Sequence, residues 1–171
     1  EVVHALGDKI KARELAESVS VPVVPGLTVD LDSADGRAEA EAFFTEHAPI
    51  IVKAAHGGGG RGMRVVRQGD DLGAAIDAAS SEAKASFGSP LCFLEKYLQR
   101  VRHVEVQILG DTHGKLVHLH ERDCSVQRRH QKLIEVAPAV ALDEVVRQRL
   151  HQDALTIGKK VGYTNAGTVE F

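Results

Sequence analysis

The sequence predicts an α+β fold rather than a doubly wound parallel sheet, on three observations. Helical patterns are interleaved with strand pairs, not alternated one for one with single strands. A strictly alternating run at 102–109 turns back on itself through a glycine-bounded turn, the signature of an antiparallel pair. The composition, 43% hydrophobic and 26% charged over 171 residues, is that of a soluble globular chain large enough for a real core.

The elements follow in order. Asp8 begins a helix to about Val19, with Leu6, Ile10 and Leu15 on one stripe. Val21 to Gly26 (VPVVPG) has prolines flanking its central valines and is extended. Asp32 to Asp35 offers N-caps for a second helix through His47, with Ala38, Ala42 and Phe43 inward, and Pro49 stops it. Ile50 to Ala55 reads as a buried strand and Met63 to Arg67 as a second, joined by HGGGGRG. Asp70 and Asp71 cap a helix to Phe87, its apolar stripe Leu72, Ile76, Ala79 and Ala83, closed by Gly88. Leu91 to Leu98 is a strand. In Arg102 to Leu109 the valines and isoleucine face one way and His103, Glu105 and Gln107 the other. Gly110 to Gly114 is a turn and Lys115 to Asp123 the returning partner. Leu142 to Lys160 is a helix and Gly167 to Phe171 a last strand.

Several function classes are disfavoured. A formal net charge of −3 gives no global field for nucleic acid or an anionic membrane. No apolar run approaches the roughly 20 residues of a membrane span, and the first residues have no signal-peptide core. Two distant cysteines, Cys92 and Cys124, make a disulfide framework unexpected and a reducing compartment the default. Both ends, EVV and AGTVEF, read as internal to a longer polypeptide.

The glycine run can present bare N–H groups to phosphate oxygens. It lacks the G-K-[ST] of a P-loop, and no helix follows it as a dinucleotide fingerprint requires. With a strand entering and a strand leaving, it is a hairpin tip, and Lys53 on the entering strand can add a point charge for phosphate. A solvated flexible tip fits the same residues, and the loop alone does not decide between the two.

A second constellation runs from Glu121 to Lys132 (ERDCSVQRRHQK), dense in charged and titratable groups between apolar shoulders, which suggests polar groups converging on a ligand at a sheet edge. Zinc ligation by His118, His120, Cys124 and His130 lacks a cysteine pair and a closed four-ligand spacing. Nucleic-acid binding through Arg128 and Arg129 lacks aromatics and any recognition motif. A nucleophilic Cys124 paired with His130 lacks an orienting third group and an oxyanion site. A solvated charged loop is the plain alternative. Glu170 is a strand carboxylate of the kind that holds Mg²⁺ at nucleotide phosphates.

With GDK (7–9), VPVVPG, IVKAAHGGGGRGMRVV, FLEKYL, RHVEVQ, HERDCSVQRRHQK, EVAPA and AGTVEF in this order, the chain resembles the biotin carboxylase module of biotin-dependent carboxylases, in the ATP-grasp superfamily. EVVHALGDKIKAR and NAGTVEF look most like the pyruvate carboxylase branch, and acyl-CoA carboxylases share much of the rest. The resemblance implies an ATP-grasp fold: residues 1–22 a linker helix after an N-terminal lobe, 23–96 the lid, and 97–171 part of the C-terminal lobe. It implies ATP, Mg²⁺ (or Mn²⁺) and bicarbonate, and biotin borne on a separate carrier domain. It also implies a homo-oligomeric full enzyme in the cytoplasm or mitochondrial matrix.

Residue by residue, it implies that Lys9 and Lys53 contact phosphates under a lid formed by Gly58, Gly59 and Gly60. Adenine would meet the backbone of the Glu95–Leu98 strand, chiefly at Lys96 and Leu98. His103, Gln127 and His130 would line the nucleotide pocket, Lys132 would stand at bicarbonate beside Cys124, and Glu170 would be one of two Mg²⁺ glutamates. The family pattern continues past Glu170 into a second metal glutamate, a biotin-site arginine and a base. By itself the chain is therefore expected to bind nucleotide weakly and not to turn over. A noncatalytic nucleotide-binding module and another ATP-grasp ligase are the competing readings.

Overall fold

The computed structural model describes residues 8–55, 63–129 and 131–171. Gly58, Gly59, Gly60 and His130 lie outside the described residues. The chain divides into two compact units, one of residues 3–14 and 23–99, the other of residues 1–2, 15–22 and 100–171.

The first unit holds a four-stranded antiparallel sheet in the order β1-β4-β2-β3, from β1 (Gly26–Leu27), β2 (Ile50–Ala54), β3 (Met63–Val66) and β4 (Cys92–Lys96). Helix α1 (Lys9–Ser18) starts in this unit, α2 is Ala34–His47 and α3 is Leu72–Phe87. Asp71 caps α3 through Ala74 N, and Gly88 ends it at φ 76°, a left-handed conformation that glycine adopts without steric cost. The predicted stripe Leu72, Ile76, Ala79 and Ala83 is the buried face of α3, packed with Ile50, Val52 and Leu94 of the sheet. In α2 the structure corrects the inward face. Ser33 is the N-cap, Gly36 and Ala40 are buried, and Ala38 and Ala42 are exposed, with Phe43 half-buried. Gly36 and Ala40 stand four residues apart on one face, with Phe43 and Phe44 packed on the same core, so the buried stripe is offset from the expected one. In α1 the buried residue is Ala16 rather than the Ile10–Leu15 stripe.

The second unit is a sheet of order β7-β6-β5-β8, made of β5 (Val104–Gly110), β6 (Leu116–Arg128), β7 (Gln131–Val136) and β8 (Asn165–Glu170), covered by α4 (Glu144–Lys160). Asp143 caps α4 through Val145 N and Val146 N. Val106 and Ile108 pack on Ala154 of α4. The charged run 121–132 is mostly strand, β6 continuing to Arg128 and β7 following from Gln131, which sets aside the solvated-loop alternative. On the second face of β5, Glu105 is 3% exposed. Among the described residues no helix is long and apolar enough to cross a membrane.

Candidate functional site

Each sheet carries a polar cluster on the face turned away from its helices, and strand alternation puts it there. In β2 and β4, Ile50, Val52, Cys92 and Leu94 join the core, so Lys53 and Glu95 emerge on the opposite face. Glu95 accepts from Lys53 Nζ and from Arg13 Nη1 at 2.7 Å, and Arg13 Nη2 also holds the Val24 carbonyl at 2.7 Å. Lys9 Nζ reaches the Ala54 carbonyl at 3.5 Å. Its pKa is lowered, first by burial and then by the neighbouring Lys53 ammonium. Lys9, Lys53 and Arg13 gather about the buried Glu95 carboxylate, with Asp8 also acting on Lys9, so this face holds cations able to meet an anionic ligand. The Lys96 amide donates to the Pro25 carbonyl at 2.8 Å and the Tyr97 amide to that of Pro49 at 2.8 Å. At Lys96, therefore, the main-chain group left for a base is the carbonyl, and Leu98, past the end of β4, is exposed.

In the second unit, register brings the groups together. Glu105 sits opposite Glu170 on β8 and opposite Arg122 on β6. Two facing carboxylates repel, and here cations stand between them. Lys132 Nζ bonds Glu105 and, at 2.7 Å, Glu170, while Arg122 pairs with Glu105 and donates to Gln107 Oε1 at 3.0 Å. Gln127 Nε2 donates to the Cys124 carbonyl at 2.8 Å and lies 2.7 Å from His103 Nδ1. An amide nitrogen only donates, so Nδ1 accepts and the neutral imidazole carries its proton on Nε2. That Nε2 is the one buried side-chain nitrogen or oxygen without a hydrogen-bond partner among the described residues; Glu170 Oε1 lies 3.5 Å away, out of bonding geometry.

The electrostatics assign protonation states. Burial opposes the Lys132 ammonium, but its hydrogen bonds to Glu105 and Glu170 outweigh that and push its pKa up. Burial likewise opposes the Glu105 carboxylate, and Lys132 and Arg122 overcome it, holding Glu105 below its usual range. Lys132 is thus a fixed cation at neutral pH, fit to neutralise an oxyanion and unfit as a base. Burial, then the Glu105 charge, pushes the Cys124 thiol up, which disfavours a thiolate nucleophile. Among the described residues Cys124 groups with Glu105 and Glu135, not with His118 or His120.

Of the residues expected from sequence, the structure brings Lys9 and Lys53 together around Glu95 in one unit, and His103, Gln127, Lys132 and Glu170 together in the other. Lys96 is the last residue of β4, and Leu98 lies beyond it, exposed. Sequence reasoning missed Arg13, Glu105 and Arg122. The alternation 102–109 sets Glu105 on the face of His103; what it lacks is the identity of the partner strands. Ligand atoms of His103, Glu105 and Glu170 lie within 4.8 Å of one another, but His103 carries its proton on Nε2 and both Glu105 oxygens are taken by Arg122 and Lys132, so Glu170 is the carboxylate of this cluster with an oxygen left for Mg²⁺.

Similarity to known proteins agrees with this chemistry. The family described as carbamoyl-phosphate synthase L chain, ATP binding domain, matches residues 8–171. Pyruvate carboxylase of Schizosaccharomyces pombe is 54% identical over 172 residues, covering 100% of this chain and 14% of that protein. The biotin carboxylase–beta-gamma-ATP complex from Campylobacter jejuni superposes with a TM-score of 0.92 at 48% identity, over 100% of this chain and 38% of that one. The biotin carboxylase domain of Hydrogenobacter thermophilus 2-oxoglutarate carboxylase, solved with MgADP, ADP and bicarbonate, gives 0.90 at 40% identity, over 99% and 37%. The chain thus spans about a seventh of the S. pombe relative and little more than a third of the solved domains. By a match over all but its first seven residues, and by these identities, the chain belongs to the carbamoyl-phosphate synthase L chain ATP-binding family and has the ATP-grasp fold of the biotin carboxylase domains.

Proposed function

We propose that this chain serves the ATP- and bicarbonate-dependent carboxylation of biotin carried on a separate domain, the biotin carboxylase step of a pyruvate carboxylase. The observation that carries the reading is the Glu105–Lys132–Glu170 arrangement with the unpartnered His103 Nε2–H beside it. Phosphoryl transfer to bicarbonate joins two anions, so positive charge and directed donors must be in place before the reaction. Lys132, held protonated by two carboxylates, supplies the charge at the acceptor anion. The His103 imidazole offers Nε2–H to a phosphate or ribose oxygen, and Gln127 fixes its tautomer by donating to Nδ1. Glu170 would hold Mg²⁺, which neutralises phosphate oxygens when bound. In the other unit Lys9 and Lys53 meet phosphate, with Glu95 and Arg13 fixing where the Lys53 ammonium stands. The Lys96 carbonyl would accept from the adenine amine. Gly58, Gly59 and Gly60 we assign to the lid, and His130 to the same pocket as Gln127.

The test exchanges the matching segment of the Campylobacter jejuni biotin carboxylase for this 171-residue chain. Bicarbonate-dependent ATP hydrolysis and carboxylation of free biotin are then measured. Activity within about tenfold of the parent is expected, with a fall on the order of 10²–10³ in kcat for Lys132→Met, the usual cost of one charge-stabilising donor. A folded chimera that binds ATP without bicarbonate-dependent turnover, or a Lys132→Met variant as fast as the chimera, overturns the proposal.

A further inference from the structure

The other face of the second sheet, turned toward α4, carries a polar cluster that the carboxylation chemistry does not use. His118 and His120 of β6 and His151 of α4 bring three ring nitrogens within 4.8 Å of one another. The rings of His118 and His151 are stacked with centroids 4.1 Å apart, and His120 stands edge-on to both, at 5.5 Å and 5.6 Å.

Two features of the backbone assemble this trio. Between Val106↔Glu121 and Ile108↔His118 the register slips, so that Leu119 and His120 together oppose Gln107. In an unbroken strand His118 would share a face with Arg122; the extra residue transfers it to the face of Glu121 and α4. His120 itself takes φ 64°, a conformation a bulky residue adopts only where surrounding structure enforces it. The third ligand is oriented by a buried carboxylate. His151 Nε2 lies 2.6 Å from Glu121 Oε2, and Glu121 also accepts from Ala139 N at 3.1 Å and pairs with Arg147. With Glu121 as acceptor, Nε2 carries the proton and Nδ1 keeps its lone pair. A carboxylate behind a histidine in this way is the recurrent support of metal-binding imidazoles.

We propose that His118, His120 and His151 bind a divalent transition metal, Zn²⁺ being the chemically best-suited ion, with the remaining coordination position open to solvent. Three neutral imidazoles match borderline cations and not Mg²⁺, so this site is chemically distinct from the carboxylate cluster on the opposite face. Burial, then the neighbouring His rings, lowers the pKa of His118, and burial followed by His120 lowers that of His151, so both stand in the neutral, ligating form. Zn–N bonds of about 2.1 Å bring tetrahedral ligand atoms to about 3.4 Å apart. Stacked rings hold their in-plane lone pairs side by side, so closing from within 4.8 Å needs the half-buried His118 ring to turn out of its stack on His151 as well as a rotation of the exposed His120 ring.

The test uses the full 171-residue chain, stripped with chelator and titrated with Co²⁺ as a spectroscopic probe, then with Zn²⁺ in competition. One Co²⁺ per chain is expected, with the visible bands of a four- or five-coordinate nitrogen site, bleached by stoichiometric Zn²⁺. His120→Gln, at an exposed position, and His118→Asn should each weaken Co²⁺ binding at least about tenfold. Glu170→Gln should leave the bands and the affinity unchanged. Bands that survive His120→Gln, bands lost on Glu170→Gln, or none with millimolar Co²⁺ on a chain whose circular dichroism is native overturn the assignment. Carboxylase activity enters none of these outcomes, so they are independent of the function proposed above.

Discussion

Replacing Glu121 with glutamine keeps the shape of the side chain and removes its charge. Glu121 is 1% exposed and answers three donors: the Ala139 amide, the His151 Nε2–H and the Arg147 guanidinium. Glutamine has one acceptor oxygen and two N–H donors, so its amide nitrogen must face either Arg147 and the Ala139 amide, donor against donor, or His151, whose proton must then move to Nδ1. Arg147 retains the Ala139 carbonyl at 3.1 Å and Glu144 at 3.0 Å, so its charge is not stranded. The loss is then one charge-assisted hydrogen bond and one buried donor left unmet, about 2–3 kcal/mol. Glu121→Ala leaves a void as well and should cost about 3–5 kcal/mol. At the 2–4 °C per kcal/mol typical of a chain this size, glutamine should lower Tm by about 4–12 °C. Thermal unfolding followed by circular dichroism reads this directly, and a double-mutant cycle with His151→Gln isolates the pair. A Glu121→Gln shift under about 1 °C, or a coupling energy near zero, would refute the reasoning.

A Cβ at Gly110 would lie 2.1 Å from the Tyr163 carbonyl oxygen and 3.0 Å from its carbon, both backbone. Gly110→Ala should therefore push β5 and the residues before β8 apart and cost about 1–3 kcal/mol; denaturant unfolding within error of the parent would contradict that close approach. Asp123 is held down to about 2, first by hydrogen bonds from Ser125 and then by Arg102. A depressed carboxylate contributes stability above its unfolded pKa of about 3.9, and that contribution is lost as pH falls toward about 2. Ser125→Ala should raise the Asp123 pKa and move the acid limb of the stability curve to higher pH. NMR titration of the carboxyl carbon measures it, and an unchanged titration would hand the effect to Arg102.

Much of the fold is legible in the sequence because it depends on local periodicity. The α3 stripe, its Asp71 cap and its Gly88 stop are short-range signals and need no partner to be read. The second helix starts inside the expected window, though Asp32, Ser33 and Asp35 are all acceptable N-caps and local sequence does not choose among them. Ser33 caps the helix through Gly36 N, and Gly36 packs so close to the Asp30 carbonyl that a Cβ there would lie 2.0 Å from it. The 121–132 run reads as polar groups converging at a sheet edge, but a solvated loop stays open as the alternative because its charges hide the strand period. Its alternate residues face α4 on one side and Lys132 and Glu105 on the other, and both sides want polar groups.

Motif order and strand alternation determined which residue types meet a nucleotide, and they set His103, Glu105 and Gln107 on one face with no partner strand specified. Strand register decided the rest. That Glu105 faces Glu170 and Arg122, that Lys132 bridges the carboxylates and that Arg13 reaches Glu95 are facts about pairs up to 82 positions apart. No local pattern encodes such pairings, because which strands associate depends on the free energy of burying the whole sheet. The histidine trio shows the limit most sharply. Period-two reading puts His118 and His120 on the face of Arg122, and a single inserted residue in β6 sends His118 to the other side, where His151 waits on a helix more than thirty residues later.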